Sequence, residues 1–230
     1  MAEAMTFKKR VIAAVALSLV GVGAVGVLAV CAPSAARAQA TEPITTANIR
    51  AEETEAGDLL ADAVRVLGGA DIGLVPAAAF KPGATVARPA TAEQATGLVE
   101  PASDVVVVVN LRGDQILAAL ERSVSFAPQP FAGFLQVSGL KFSFNPQGDN
   151  RKRVSNATVG GTPLEASRTY KVAMPRPLAG GQQGYHQVWG RDQITTDTGK
   201  SLAVALQELA RARGGMLSPT VEGRITQAKP

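Results

Sequence analysis

The chain has 230 residues, carrying 23 Lys and Arg against 19 Asp and Glu, with one histidine and one cysteine. That length suits one domain plus a targeting segment. Four of the basic residues (Lys8, Lys9, Arg10, Arg37) but only one acid (Glu3) precede residue 41, so the remainder is nearly neutral and gives no case for a nucleic-acid partner.

Lys8, Lys9 and Arg10 form a positive n-region, Val11 to Ala32 is almost wholly apolar, and Ala38-Gln39-Ala40 places small residues before a cleavage site. This is the pattern of a secretory signal peptide over residues 1–40, cleaved between Ala40 and Thr41. It predicts a periplasmic or secreted domain of residues 41–230 with no membrane attachment after cleavage. Left uncleaved, Val11 to Ala32 is long enough to act as an N-terminal membrane anchor. A lipoprotein signal is disfavoured because Val30 precedes Cys31. Beyond residue 40 there is no cysteine, hence no disulfide and no thiol nucleophile. With aromatics at 4%, the core must be built from Ala, Val and Leu.

Thr41 to Arg50 reads as a polar lead-in. Thr54 is a candidate N-cap, and Ala56, Leu59, Leu60, Ala63, Val64 and Leu67 then trace one helical face that Gly68-Gly69 stops. Ala70 to Val75 reads as a short buried strand. Pro76 to Pro101 reads as a long loop holding a short helix near Ala92 to Leu98. Five consecutive valines, Val105 to Val109, suit a strand covered on both faces. Gly113 ends it, Asp114 can cap the next helix, and Ile116, Leu117, Leu120 and Val124 share one face of that helix. A Pro-containing loop covers Ser125 to Gly133. Phe134 to Phe144, Arg153 to Val159 and Thr169 to Met174 read as three strands of an antiparallel meander, with Leu140, Phe142 and Phe144 alternating inward. Pro175 to Gly184 is a Gly/Pro-rich loop. Ser201 to Ala212 reads as a helix with Leu202, Ala205, Leu206 and Leu209 inward. The predicted class is mixed α/β: a mixed sheet with an antiparallel meander, layered with amphipathic helices.

Several stretches together resemble the C-terminal domain of the bacterial 5′-nucleotidase and UDP-sugar hydrolase family. They are Glu53 to Ala63, Ala70-Asp71-Ile72, Val105 to Leu117, and Phe134-Leu135-Gln136-Val137-Ser138-Gly139-Leu140. Leu178-Ala179-Gly180-Gly181 with Gly184-Tyr185, and Glu222-Gly223-Arg224-Ile225, complete the set. Order and spacing agree from about residue 49 to residue 226. The resemblance implies a domain that binds the nucleoside part of a substrate, while a separate metallophosphoesterase domain with two metal ions performs hydrolysis. A dinuclear site needs several ligands, and the chain's one histidine is His186. No phosphate loop or Gly-x-Ser-x-Gly elbow occurs either. No catalytic, metal or cofactor residue is therefore assigned.

The positions that the resemblance marks as substrate-binding depart from the family's pattern. Its Asn and Arg align with Pro76 and Lys81. Its two stacking aromatics align with Ala102 and Pro177, and its ribose-binding acid with Gln183, followed by Tyr185. The expectation is a degenerate site that holds nucleosides poorly, in an exported binding or interaction module. The alternative is the substrate-binding subunit of a 5′-nucleotidase, partnered by a separate metallophosphoesterase chain or another periplasmic protein.

Overall fold

The computed structural model describes residues 42–228. The expected signal segment and the Ala40–Thr41 junction lie outside them. In chain order the described elements are β1 (Ile44–Thr45), α1 (Glu55–Gly68), β2 (Ile72–Pro76), β3 (Thr85–Val86), α2 (Ala92–Thr96), β4 (Val105–Arg112) and α3 (Gly113–Ser123). There follow β5 (Leu135–Ser138), β6 (Leu140–Phe144), β7 (Val154–Val159), β8 (Thr162–Pro163), β9 (Thr169–Pro175), α4 (Arg176–Ala179), β10 (Ile194–Ser201), α5 (Leu202–Ala212) and β11 (Ile225–Gln227). A five-stranded sheet runs β10-β4-β9-β2-β5, a four-stranded sheet runs β11-β6-β7-β8, and β1 pairs with β3.

Helix α1 forms as its sequence dictates. The Thr54 hydroxyl accepts a bond from the Gly57 N–H at 3.1 Å, and Gly69, at φ 55°, closes the last turn onto Arg65 and Val66. Its apolar face, Leu59, Leu60, Ala63 and Val64, is fully buried. The valine run of β4 is buried from Val106 to Val109. Gly68 of α1 rests on Ala173 and Val108, so alternation turns Val107 and Val109 to the opposite face. Both faces of the strand are covered, as the unbroken β-branched run requires.

The register decides where the loops go. β4 is antiparallel to β9 and β10, whereas β2 and β9 are parallel. The chain therefore leaves β2 at Pro76, leaves β9 at Pro175 and enters β4 at Val105 along one edge of the sheet.

Four sequence expectations need correction. Phe134 to Phe144 is two strands in two sheets, split at Gly139, whose φ is 71°. A Cβ there would lie 2.1 Å from the Asp71 carbonyl oxygen. Thr169 to Met174 does not continue the meander, because β9 inserts between β4 and β2; the meander ends at β8. Leu117 is 41% exposed and Ala119 is buried in its place. Asp114 sits in the first turn of α3, where its carboxylate accepts from the Gln115 N–H and pairs with Arg112, while the Gln115 side chain caps the Arg112 N–H. Nothing in the sequence signals the polar edge strand β10 or the β1–β3 ribbon, since neither carries an apolar alternation. Gly139→Ala is expected to cost about 1–2 kcal/mol from the left-handed backbone alone, with the Asp71 overlap added. Urea denaturation checks this, and an unchanged midpoint would contradict the close approach.

Candidate functional site

The sheet edge gathers the loops that hold Lys81, Ala102, Pro177 and Gln183. After β2 a single 3₁₀ turn, Ala77–Ala79, delivers the exposed Lys81, whose N–H donates to the Leu98 carbonyl at 2.9 Å. Glu100 returns a bond to Ala79, so the Lys81 loop and the approach to Ala102 are laced together. Ala102 is half-buried, and its carbonyl accepts from Ala203 at the start of α5. Pro177 is half-buried in α4, immediately beyond the Pro175–Val106 pair. The segment Ala132–Phe134 bonds to Ala77 and Ala78 and so joins the same edge.

Gln183 adopts φ 59°, between Gly181 at 87° and Gly184 at 85°. This turn is held by Arg122, whose Nε and Nη2 donate to the Gln183 carbonyl at 3.1 and 2.8 Å. Against Gly133 lie both the Gln183 Cβ and the Phe131 ring. Tyr185 does not belong with these residues. It is fully buried, stacks on Trp189 with centroids 5.0 Å apart, and donates from its hydroxyl to the Gly133 carbonyl at 2.7 Å. Burial pushes its phenol well above the ordinary value. Tyr185 is a core residue that ties the segment after the Gly181–Gly184 turn to Gly133 and Trp189. His186 is exposed.

Sequence reasoning missed Arg122, Phe126 and Phe131. The two rings pack at 4.6 Å between centroids, and the Arg122 guanidinium carbon lies 5.3 and 4.7 Å from them. The available signal was two phenylalanines inside a proline-bearing loop of an aromatic-poor chain.

A family model described as 5′-nucleotidase, C-terminal domain, matches residues 30–189. The chain belongs to that family. A snake venom 5′-nucleotidase from Gloydius brevicauda is 30% identical over 126 residues, which cover 51% of this chain and 21% of that protein. A cell wall protein of Listeria monocytogenes is 28% identical over 190 residues, covering 75% of this chain and 23% of that one. Among solved structures, a 5′-nucleotidase precursor from Thermus thermophilus superposes with a TM-score of 0.68 at 24% identity, over 86% of this chain and 41% of that one. The chain thus spans about a fifth of these two curated relatives.

In this 5′-nucleotidase C-terminal domain the stretches that carry the family resemblance build a buried polar seam. Gln136 accepts from the Thr54 N–H and donates to the Ile49 and Glu52 carbonyls. Arg224 is 5% exposed and reaches Asp62 at 2.9 Å, the Val137 carbonyl at 2.9 Å and Glu222 at 3.1 Å. The Asp62 carboxylate also accepts from the Ser138 hydroxyl at 2.6 Å and from Arg213 Nη2 at 2.7 Å. Glu53 accepts from the backbone N–H groups of Glu222 and Ile225 at 2.9 and 2.7 Å, tying the C-terminal segment to the start of α1.

Asp58 is the member whose carboxylate has no hydrogen bond. Both its oxygens are buried and unpartnered, with Arg224 Nε 3.7 Å away. Burial pushes its carboxyl up to about 9, Arg224 opposes this, and Glu53 and Asp62 reinforce it. Burial also acts to raise Asp62, but bonds from Arg224, Ser138 and Arg213 outweigh it and hold that carboxyl low.

The two acids have opposite linkage. Asp58 holds a proton in the folded state that the unfolded chain releases near pH 4, so its contribution is complete below that pH and is lost as pH rises toward about 9. Asp62 contributes above the ordinary carboxylate range and is lost on acidification. Asp58→Asn is therefore expected to flatten the fall in stability between pH 6 and pH 9, where the slope for one proton is up to about 1.4 kcal/mol per pH unit. Urea midpoints across that range check it, and parallel curves for the two proteins would contradict a protonated Asp58.

Proposed function

We propose that this chain is an exported 5′-nucleotidase C-terminal domain whose nucleoside site is degenerate, acting as a binding or interaction module. The observation that carries the reading is the sheet edge. Its loops converge as a ligand-binding edge of an α/β sheet does, yet the side chains they bring are Lys81, Ala102, Pro177 and Gln183. Ala102 and Pro177 offer no π-face for a base, and Gln183 offers a neutral amide where the resemblance calls for an acid. The histidine count supports the absence of hydrolysis by this chain alone, since a dinuclear phosphoesterase site needs several ligands.

Assay of the purified full-length chain with AMP and UDP-glucose, in Mn²⁺ or Co²⁺, is expected to give no turnover above background. Metal-dependent turnover that co-purifies with the chain through several columns would overturn this. Turnover that arises only on adding a separate metallophosphoesterase chain would make it a substrate-binding subunit. Export is tested by mass spectrometry of the native protein. The expected mature N-terminus is Thr41, and an intact chain in the membrane fraction would make Val11 to Ala32 an anchor.

A further inference from the structure

On the solvent side of α3 lies an open groove of about 780 Å³, walled by that helix, the Asn150–Arg153 turn and the Gly184–Val188 turn. The volume falls in the range of small-molecule sites. Two of the exposed large apolar side chains of the described residues, Leu117 at 41% and Phe126 at 48%, line this one concavity. Exposed apolar groups that converge in a groove mark a binding surface more often than isolated ones do.

The charges around them are unevenly committed. Glu121 accepts from the backbone N–H groups of Arg153 and Val154, and Asp114 is paired with Arg112. Arg153 donates to the carbonyls of Gly148, Val124 and Ala127. Arg122 spends Nε and Nη2 on the Gln183 carbonyl, which leaves Nη1 with only a 3.5 Å contact to Ser125. Arg151 is exposed and makes no ion pair among the described residues. The groove sets three arginines against two carboxylates, and Arg151 and Arg122 Nη1 are the N–H donors it leaves for a ligand beside an aromatic face.

The ring is also held in place. Phe126 packs on Phe131, and the Arg122 guanidinium sits over both rings, fixed by its fork on the Gln183 carbonyl. An aromatic face that is rigid before binding loses little side-chain freedom when a second ring stacks on it.

We propose that this groove binds a flat aromatic anion, with the ring against Phe126 and Leu117 and the negative group toward Arg151 and Arg122 Nη1. The groove shares no lining residue with the Lys81–Ala102–Pro177–Gln183 edge, although Arg122 also holds the Gln183 turn. Phosphate and carboxylate share the needed chemistry.

The test is a titration of the full-length chain with 2-naphthoate and 1-naphthyl phosphate, followed by calorimetry and by backbone amide shifts. Saturable, salt-sensitive binding is expected, with shifts centred on residues 117–126 and 150–153, and weaker binding of the uncharged 2-naphthylmethanol. Phe126→Ala and Phe126→Leu are expected to weaken binding roughly tenfold, by loss of one stacking face. Arg151→Gln should weaken it and reduce its salt dependence, while Lys152→Gln should not. Circular dichroism confirms that the variants fold, as Phe126 and Arg151 are exposed. The proposal is overturned by an absence of saturable binding, or by equal affinity for the uncharged analogue. Binding untouched at Phe126 and Arg151 but lost with Lys81→Gln would overturn it too, by moving the ligand to the sheet edge.

Discussion

Replacing Arg224 by methionine is expected to destabilise the fold by about 3–5 kcal/mol, the cost of breaking a buried ion pair by removing one partner. Among the described residues Arg224 is the one cation that reaches Asp62, Asp58 and Glu222 together, and it also donates to the Val137 carbonyl. Methionine fills much of the volume but leaves the Asp62 carboxylate with Ser138 and Arg213 alone. It also strands the Val137 carbonyl, and an unsatisfied buried acceptor costs about 1–3 kcal/mol. The loss should fall mostly on the junction between α1, β5 and the C-terminal segment, since Glu53 ties that segment down through the neighbouring backbone. Arg224→Lys should recover little, because an ammonium cannot reproduce the fork. Urea unfolding measures the effect as a lower midpoint at unchanged slope. A loss under about 1 kcal/mol would place the pair among weakly coupled surface bridges.

Adenosine is expected to bind no tighter than the millimolar range. The resemblance implies a base held between two aromatics, and stacking contributes about 1–3 kcal/mol per platform. With Ala102 and Pro177 in those positions, both contributions are absent. A charge-assisted hydrogen bond contributes about 1.5–3 kcal/mol, and the amide of Gln183 cannot supply the acceptor charge. The terms are not additive, but the low end, about 3.5 kcal/mol, already weakens binding by more than two orders of magnitude. Nor does Phe131, which lies half-buried against Gly133 beside Gln183, replace the sandwich: one ring supplies at most one platform where two are needed. The corresponding gain is expected from Ala102→Phe with Pro177→Phe.

Local signals made most of the fold legible. Thr54 and Gly69 bound α1 because capping is a property of a few adjacent residues, and the Val105–Val109 run declared its own double burial. The division of Phe134 to Phe144 at Gly139 was hidden, since the reason is the Asp71 carbonyl, which is distant in sequence. The placement of β9 was hidden for a related cause: alternation says which face a residue takes, not which sheet a strand joins. Strand β10 escaped notice because an edge strand made of Ile194-Thr195-Thr196-Asp197-Thr198-Gly199-Lys200-Ser201 has no apolar face to betray it. At the candidate site, resemblance gave Tyr185 a ligand role, whereas the structure spends that side chain on Trp189 and Gly133. Arg122 was legible only as a helix residue, because its partner, the Gln183 carbonyl, is 61 positions away.

Calorimetric titration of the full-length chain with adenosine tests the proposed degeneracy of the edge most directly. The expected result is no heat that saturates below the millimolar range, in the wild-type chain and in Gln183→Ala alike. A low-micromolar dissociation constant would contradict it, and would mean that the edge formed by Lys81, Ala102, Pro177 and Gln183 grips a nucleoside without aromatic stacking.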